Sequence, residues 1–136
     1  MTVKLEIGLS TSIEKHVTAL DVEAYAHMTG DTNPIHLDDV YASQSRFGRR
    51  IAHGLLVAGY ISAVLGNLLP GPGSIYVSQQ LSFKAPVYLG DTITVRVTVK
   101  EIRLDKPIAT LSTQCFNQSD QIVIDGEAVL LYPQEG

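Results

Sequence analysis

The 136-residue chain is long enough to bury one core, and its 45% hydrophobic and 18% charged residues are those of a globular protein. A formal net charge of −4 argues against a general nucleic-acid binder, which needs a concentrated cationic surface, and the lone Cys115 rules out an intrachain disulfide. One domain over residues 1–136, in a reducing cytoplasm, is therefore expected.

The N-terminal stretch Met1-Thr2-Val3-Lys4-Leu5-Glu6-Ile7 alternates polar and apolar residues, unlike the continuous apolar region of a secretory signal, so export is not expected. Thr18-Ala19-Leu20-Asp21 has the form of a helix start, with a hydroxyl that can accept from free amides and a carboxylate near the positive helix end. A helix to about Thr29 should follow, with Val22, Tyr25 and Ala26 on its apolar stripe and Gly30 stopping it. Asp31 then falls in the loop just after the helix. In Asp31-Thr32-Asn33-Pro34-Ile35-His36 the proline biases Asn33 towards extended geometry, which predicts a turn there and not a helix. A second short helix is expected over 37–43, before the cationic Arg46-Phe47-Gly48-Arg49-Arg50.

Residues 54–69 carry no charge, and from Arg50 the next charged side chain is Lys84. The stretch is shorter than the ~20 residues a bilayer needs, and it ends in Pro70-Gly71-Pro72-Gly73, so a buried helix is expected and a membrane span is not. Such a helix has no polar face wide enough to meet water and must be wrapped. Gly54, Gly59 and Gly66 would permit close backbone approach to it. Ile75, Val77, Leu81 and Phe83 alternate with polar residues, as do Ile93, Val95, Val97 and Val99, the pattern of half-buried antiparallel strands. Lys106-Pro107 and Asn117 to Asp120 supply turns before two further β-rich runs, 108–116 and 121–131. Helices first and then a meander of strands predicts an α+β fold, a single curved sheet around the apolar helix. Cys115 reads as packed within its strand, and 133–136 as a frayed end.

Asp31 and His36 are the candidate acid–base pair, since both can hold and exchange protons near neutral pH and the turn between them lets both face one centre. A plainer reading stands beside each: a loop carboxylate capping local amides, and an imidazole satisfied by one hydrogen bond. Asn33 either orients the pair or stabilises the turn. His53 reads as a structural hydrogen-bonder, and His16 and His27 as structural. No two histidines have compact metal-ligand spacing, so no metal site is expected. Arg46, Arg49, Arg50 and Lys84 are either solvated charges or contacts for an anionic ligand.

Gly30-Asp31-Thr32-Asn33-Pro34-Ile35-His36-Leu37-Asp38, Phe47-Gly48 and Ile51-Ala52-His53-Gly54-Leu55-Leu56 together resemble the hydratase-2 motif of MaoC-like proteins. The likeness continues through Leu81-Ser82-Phe83-Lys84-Ala85-Pro86-Val87, Gly90-Asp91 and Asp105 to Thr110, in the manner of short (R)-specific enoyl-CoA hydratases. It implies the hotdog fold, a homodimer, and reversible addition of water to trans-2-enoyl-CoA to give (R)-3-hydroxyacyl-CoA, a reaction that can feed polyhydroxyalkanoate synthesis or fatty-acid oxidation. By the same resemblance Asp31 and His36 are the catalytic pair and the Gly54 N–H is the oxyanion donor. No metal or redox cofactor is implied, coenzyme A being part of the substrate. The chemistry agrees: attack at C3 of an enoyl thioester places enolate charge on the thioester oxygen, so the site needs a base, an acid and an oxyanion donor.

Two alternatives compete. A hotdog thioesterase would hydrolyse the thioester, but several such enzymes place a carboxylate on the central helix, and residues 54–69 contain neither Asp nor Glu. A non-catalytic acyl-binding module is disfavoured by the presence of both Asp31 and His36. Finally, Gly54, Ala58, Ser62, Leu65 and Leu69 recur at helical spacing, so an acyl tail laid along that stripe would meet Ser62 and Leu65 as a pocket floor. The alternative is that Leu65 is plain core and Ser62 bonds a carbonyl one turn back.

Overall fold

In the computed structural model, which describes residues 4–133, the polar segment Ser10–His16 forms a strand, β1, ahead of the first helix. The expectation of helices before strands fails at this point. Ile13 is the sole aliphatic side chain in STSIEKH, and such a strand is tolerable because β1 is a sheet edge, paired on one side with the strand that follows in space. Residues 1–3 of the N-terminal alternation, and the expected frayed end beyond Pro133, lie outside the described residues.

Helix α1, Ala19–Thr29, has the limits its caps dictate. The Thr18 hydroxyl accepts from the Asp21 N–H at 3.1 Å, and Gly30 takes the left-handed φ of 82° that lets its own N–H close on the Ala26 carbonyl. Two helices, α2 (Pro34–Leu37) and α3 (Asp39–Ser43), replace the one expected over 37–43. Asn33 is extended at ψ 125°, as the following proline requires, but Pro34 then opens a helical turn, because its fixed φ and missing N–H suit the first helical position. Asp38 leaves the helical region at φ −115° and ψ 110°, and its carboxylate accepts from the Tyr41 N–H to start α3.

The apolar helix α4 spans Gly54–Asn67, two residues shorter than expected, because Leu69 precedes Pro70 and is pushed out of helical geometry. Four further strands follow: β2 (Ile75–Phe83), β3 (Thr92–Ile102), β4 (Ile108–Phe116) and β5 (Ile122–Leu131). They form one antiparallel sheet with β1, in the order β1-β3-β4-β5-β2. The meander holds for β3 to β5, whereas β2 crosses to the far edge beside β5. Val57, Ile61, Val64 and Leu65 of α4 pack on Ile93, Val95, Leu111 and Ile124 of the sheet, all at most 1% exposed. Each such side chain contributes roughly 1.5–3 kcal/mol on burial. This sheet packed on a central apolar helix is the α+β hotdog architecture.

The pattern departs from expectation in two places. A bulge at Val77 changes the parity of β2, so that Tyr76, Gln79, Leu81 and Phe83 pair with Leu130, Ala128, Gly126 and Ile124 on the helix side while Ile75 pairs with Leu131 on the other. The sheet also covers α4 from one side only: Leu55 is 61% exposed, and Gly59, Ser62 and Ala63 share the open face. Of the three helix glycines expected to meet a neighbour closely, only Gly54 does, against the Phe83 ring; nothing lies within 4 Å of a Cβ built at Gly59 or Gly66. Cys115 is fully buried as expected, and burial pushes its thiol up to about 12.

Candidate active site

A cavity of about 530 Å³ opens where the loop after α1, the turn α2, the start of α4 and the end of β2 converge. Asp31, His36, His53, Gly54 and Phe83 line it, with Val57 and Ile124 also in its wall. The size is that of a small-molecule site.

His36 is set in place from three directions. Its own turn is capped by Asn33, whose side-chain oxygen accepts from the Ile35 N–H at 3.2 Å. Its carbonyl accepts from Arg50 Nε at 2.7 Å, and its ring Nδ1 bonds the Ile51 carbonyl at 2.7 Å. Because a carbonyl only accepts, Nδ1 carries the proton, and in the neutral ring Nε2 is left as a lone pair. His36 is 8% exposed, and burial lowers its pKa below the ordinary 6.5, helped by the His53 ring and opposed by the Ile51 hydrogen bond and by Asp31. A neutral imidazole with an open Nε2 is a proton acceptor near neutral pH.

Asp31 is an exposed loop residue whose position follows from Gly30 ending α1. Its N–H donates to Thr29 Oγ1 at 3.2 Å, and its Oδ1 accepts weakly from the Asn33 N–H at 3.4 Å. Its backbone carbonyl accepts from His53 Nε2 at 3.0 Å. The extended segment before α4 is stapled on both flanks, by Ile51 N–H to the Ile35 carbonyl and Ala52 N–H to the Val87 carbonyl, which sets the first turn of α4 beside Asp31 and His36. Gly54 is the first residue of that helix, no described residue accepts from its N–H, and the helix dipole adds positive potential there. Its missing side chain has a second use beyond access: the Phe83 ring fills the space a Cβ would occupy.

The structure does not bring every expected residue to the cavity. Asn33 caps α2 and points its side chain at the Ile35 N–H, so of its two readings the turn is the one seen. Ser62 lies on the exposed face of α4, and Leu65 is 1% exposed in the core. Neither is among the residues that line the cavity, whose apolar wall includes Val57 and Ile124. Arg46 and Lys84 line the cavity, whereas Arg49 stacks on Tyr88 at 4.0 Å and Arg50 is 12% exposed between His36 O, Glu23 and Asp39. Arg50 is thus a clamp on the site and not a contact for an external anion.

Sequence reasoning missed how close His53 comes to His36. The two rings stack with centroids 3.8 Å apart and planes at 28°, though they are distant in the chain and their spacing signals nothing. Asp31, His36 and His53 each offer a donor atom within 4.8 Å of the others.

A family profile described as a MaoC like domain matches residues 4–114. The chain is 46% identical over 129 residues to the (R)-specific enoyl-CoA hydratase of Aeromonas caviae, covering 95% of this chain and 96% of that relative. It is 47% identical over 131 residues to the 3-hydroxybutyryl-CoA dehydratase of Methylorubrum extorquens, covering 96% of this chain and 83% of the relative. Among solved structures, an (R)-hydratase from A. caviae involved in PHA biosynthesis superposes with a TM-score of 0.93 at 46% identity, over 95% of this chain and 98% of that one.

Proposed function

The chain belongs to the MaoC-like domain family, and from that membership and the site geometry we propose that it adds water reversibly to trans-2-enoyl-CoA, giving (R)-3-hydroxyacyl-CoA. The observation that carries the reading is the His36 tautomer: Nδ1 is committed to the Ile51 carbonyl, so an open Nε2 faces a cavity that Asp31 and Gly54 also line. One water donates one O–H to His36 Nε2 and the other to the Asp31 carboxylate. As its oxygen bonds to C3, the first proton passes to Nε2, and the electrons of the double bond move to the thioester oxygen, where the Gly54 N–H stabilises the charge. The imidazolium then returns that proton to C2. The second proton stays on oxygen as the product hydroxyl, so the atoms of one water are all accounted for. Both come from one side of a substrate fixed at Gly54, which sets a single hand at C3.

Arg46 and Lys84, in the wall of the same cavity, suit the phosphates of coenzyme A. A cavity of about 530 Å³ with the apolar Val57 and Ile124 in its wall suits short acyl groups. The exposed β2 edge with Ile75 and Val77, together with the open apolar face of α4, favours a homodimer that covers both. Incubation with crotonyl-CoA tests the reaction, following loss of the conjugated double bond and release of free thiol in parallel. Hydration without thiol is expected. Thiol release would support the thioesterase, which the absence of Asp and Glu from α4 disfavours, and neither signal would leave an acyl-binding module.

A further inference from the structure

We propose that His53 is a positioning residue that makes Asp31 and His36 one rigid unit, tying down the Asp31 backbone through its Nε2 and supporting the His36 ring as a stacked shelf. The inference rests on the hydratase reading above. His53 immediately precedes α4, where a capping side chain would be usual, yet it makes no cap hydrogen bond to the helix. Instead Nε2 reaches back to the Asp31 carbonyl at 3.0 Å, while Nδ1 is buried with no partner among the described residues. A side chain that is 2% exposed and leaves one polar atom unsatisfied is costly as plain packing, so its position needs another account.

The geometry supplies that account. His53 lies between two rings, Tyr25 of α1 at 4.7 Å and His36 of α2 at 3.8 Å, so three elements meet through one imidazole. Among the described residues the loop carrying Asp31 is otherwise held by short local bonds: its N–H donates to Thr29 Oγ1, its Oδ1 accepts from the Asn33 N–H, and the Thr32 N–H donates to the Gly30 carbonyl. Its long-range tether is His53, attached to the same α4 start that presents the Gly54 N–H. All three reacting positions are thereby referred to one point, which is what near-attack geometry demands. Burial is the main cause that holds the His36 pKa down, and electrostatic repulsion from the His53 ring adds to it. The other groups facing the pair are Asp31, Tyr25, and Arg50 through the His36 carbonyl.

Two substitutions separate the roles. His53→Gln can still donate to the Asp31 carbonyl but removes the stacked ring, whereas His53→Phe keeps the ring and removes the donor. With crotonyl-CoA, His53→Phe should lose about tenfold or more in kcat with KM little changed. His53→Gln, which keeps the donor to the Asp31 carbonyl, should lose less kcat than His53→Phe, and its acid limb should move up towards the ordinary histidine value. Wild-type kcat and limb in both variants, or equal losses in both with an unmoved limb, would overturn the proposal. If His53→Phe does not fold, the limb of His53→Gln decides alone. A wild-type protein with no hydration at all fails the hydratase reading instead, so the two failures are told apart before any variant is made.

Discussion

Replacing Gly54 with alanine adds a single methyl group at the first position of α4, and the structure specifies what it meets. An ideal Cβ there lies 2.6 Å from Phe83 Cε1, 2.9 Å from Cδ1 and 3.3 Å from Cζ. Carbon atoms pack at roughly 3.5–4.0 Å, so the ring must retreat by about 1 Å. Phe83 is 54% exposed at the end of an edge strand and can swing outward without opening the core. Gly54 has no left-handed φ, and a helix prefers alanine over glycine by about 1 kcal/mol, which offsets the shift. The folded protein should therefore melt within about 5 °C of wild type. Activity should not survive so well, because the methyl stands beside the N–H proposed to hold the thioester oxygen. Loss of one oxyanion donor costs roughly 10²–10³ in kcat, or about 3–4 kcal/mol. The assay is crotonyl-CoA hydration by Gly54→Ala, by Phe83→Ala and by the double variant, with thermal melts beside each. The double variant should remain about a hundredfold below Phe83→Ala, since the methyl itself obstructs the thioester. Recovery in the double variant would show that the displaced ring was the cause, and wild-type kcat in Gly54→Ala would remove the Gly54 N–H from the mechanism.

Asp31→Asn and His36→Ala should each lower kcat severely while circular dichroism stays native, and the double variant should be little worse than either, because the two groups handle one water. The lowered His36 pKa places the acid limb of kcat/KM below 6.5, so a pH–rate profile should stay level as pH falls to that value and decline only beneath it. The same shift has a stability consequence: below 6.5 the unfolded chain takes up a proton that folded His36 resists, so this group's contribution falls as pH drops, measurable as a falling urea midpoint. Leu65→Ala should cost about 2–5 kcal/mol as a core cavity and leave the preference among four-, six- and eight-carbon substrates unchanged. Arg50→Met should cost about 1–3 kcal/mol, because it strips the His36 carbonyl of its donor and unties Glu23 and Asp39, and a melt with a parallel rate measurement should show both losses.

Local chemistry decided by sequence alone includes α1, whose Thr18 cap and Gly30 stop act within one helical turn, and β3, where strict alternation of Ile93, Val95, Val97 and Val99 with polar residues leaves one way to face the core. The hydratase-2 motif likewise marks Asp31, His36 and Gly54 as belonging together. What sequence left open depends on contacts between distant segments. The polar β1 has no periodicity to show it, and becomes a strand only because β3 offers an edge. The Val77 bulge is invisible in the alternation it interrupts, since register is settled by the partner strand β5. Helical spacing put Ser62 and Leu65 on a stripe below Gly54, but a stripe is a property of one helix, whereas the cavity is lined by several elements, with Val57 of α4 and Ile124 of β5 both in its wall. The stacking of His53 on His36 belongs to the same class: the two residues come from separate elements that meet only after the Ile51–Ala52 segment has been stapled on both sides, and pairing of that kind is decided by tertiary packing and not by spacing along the chain.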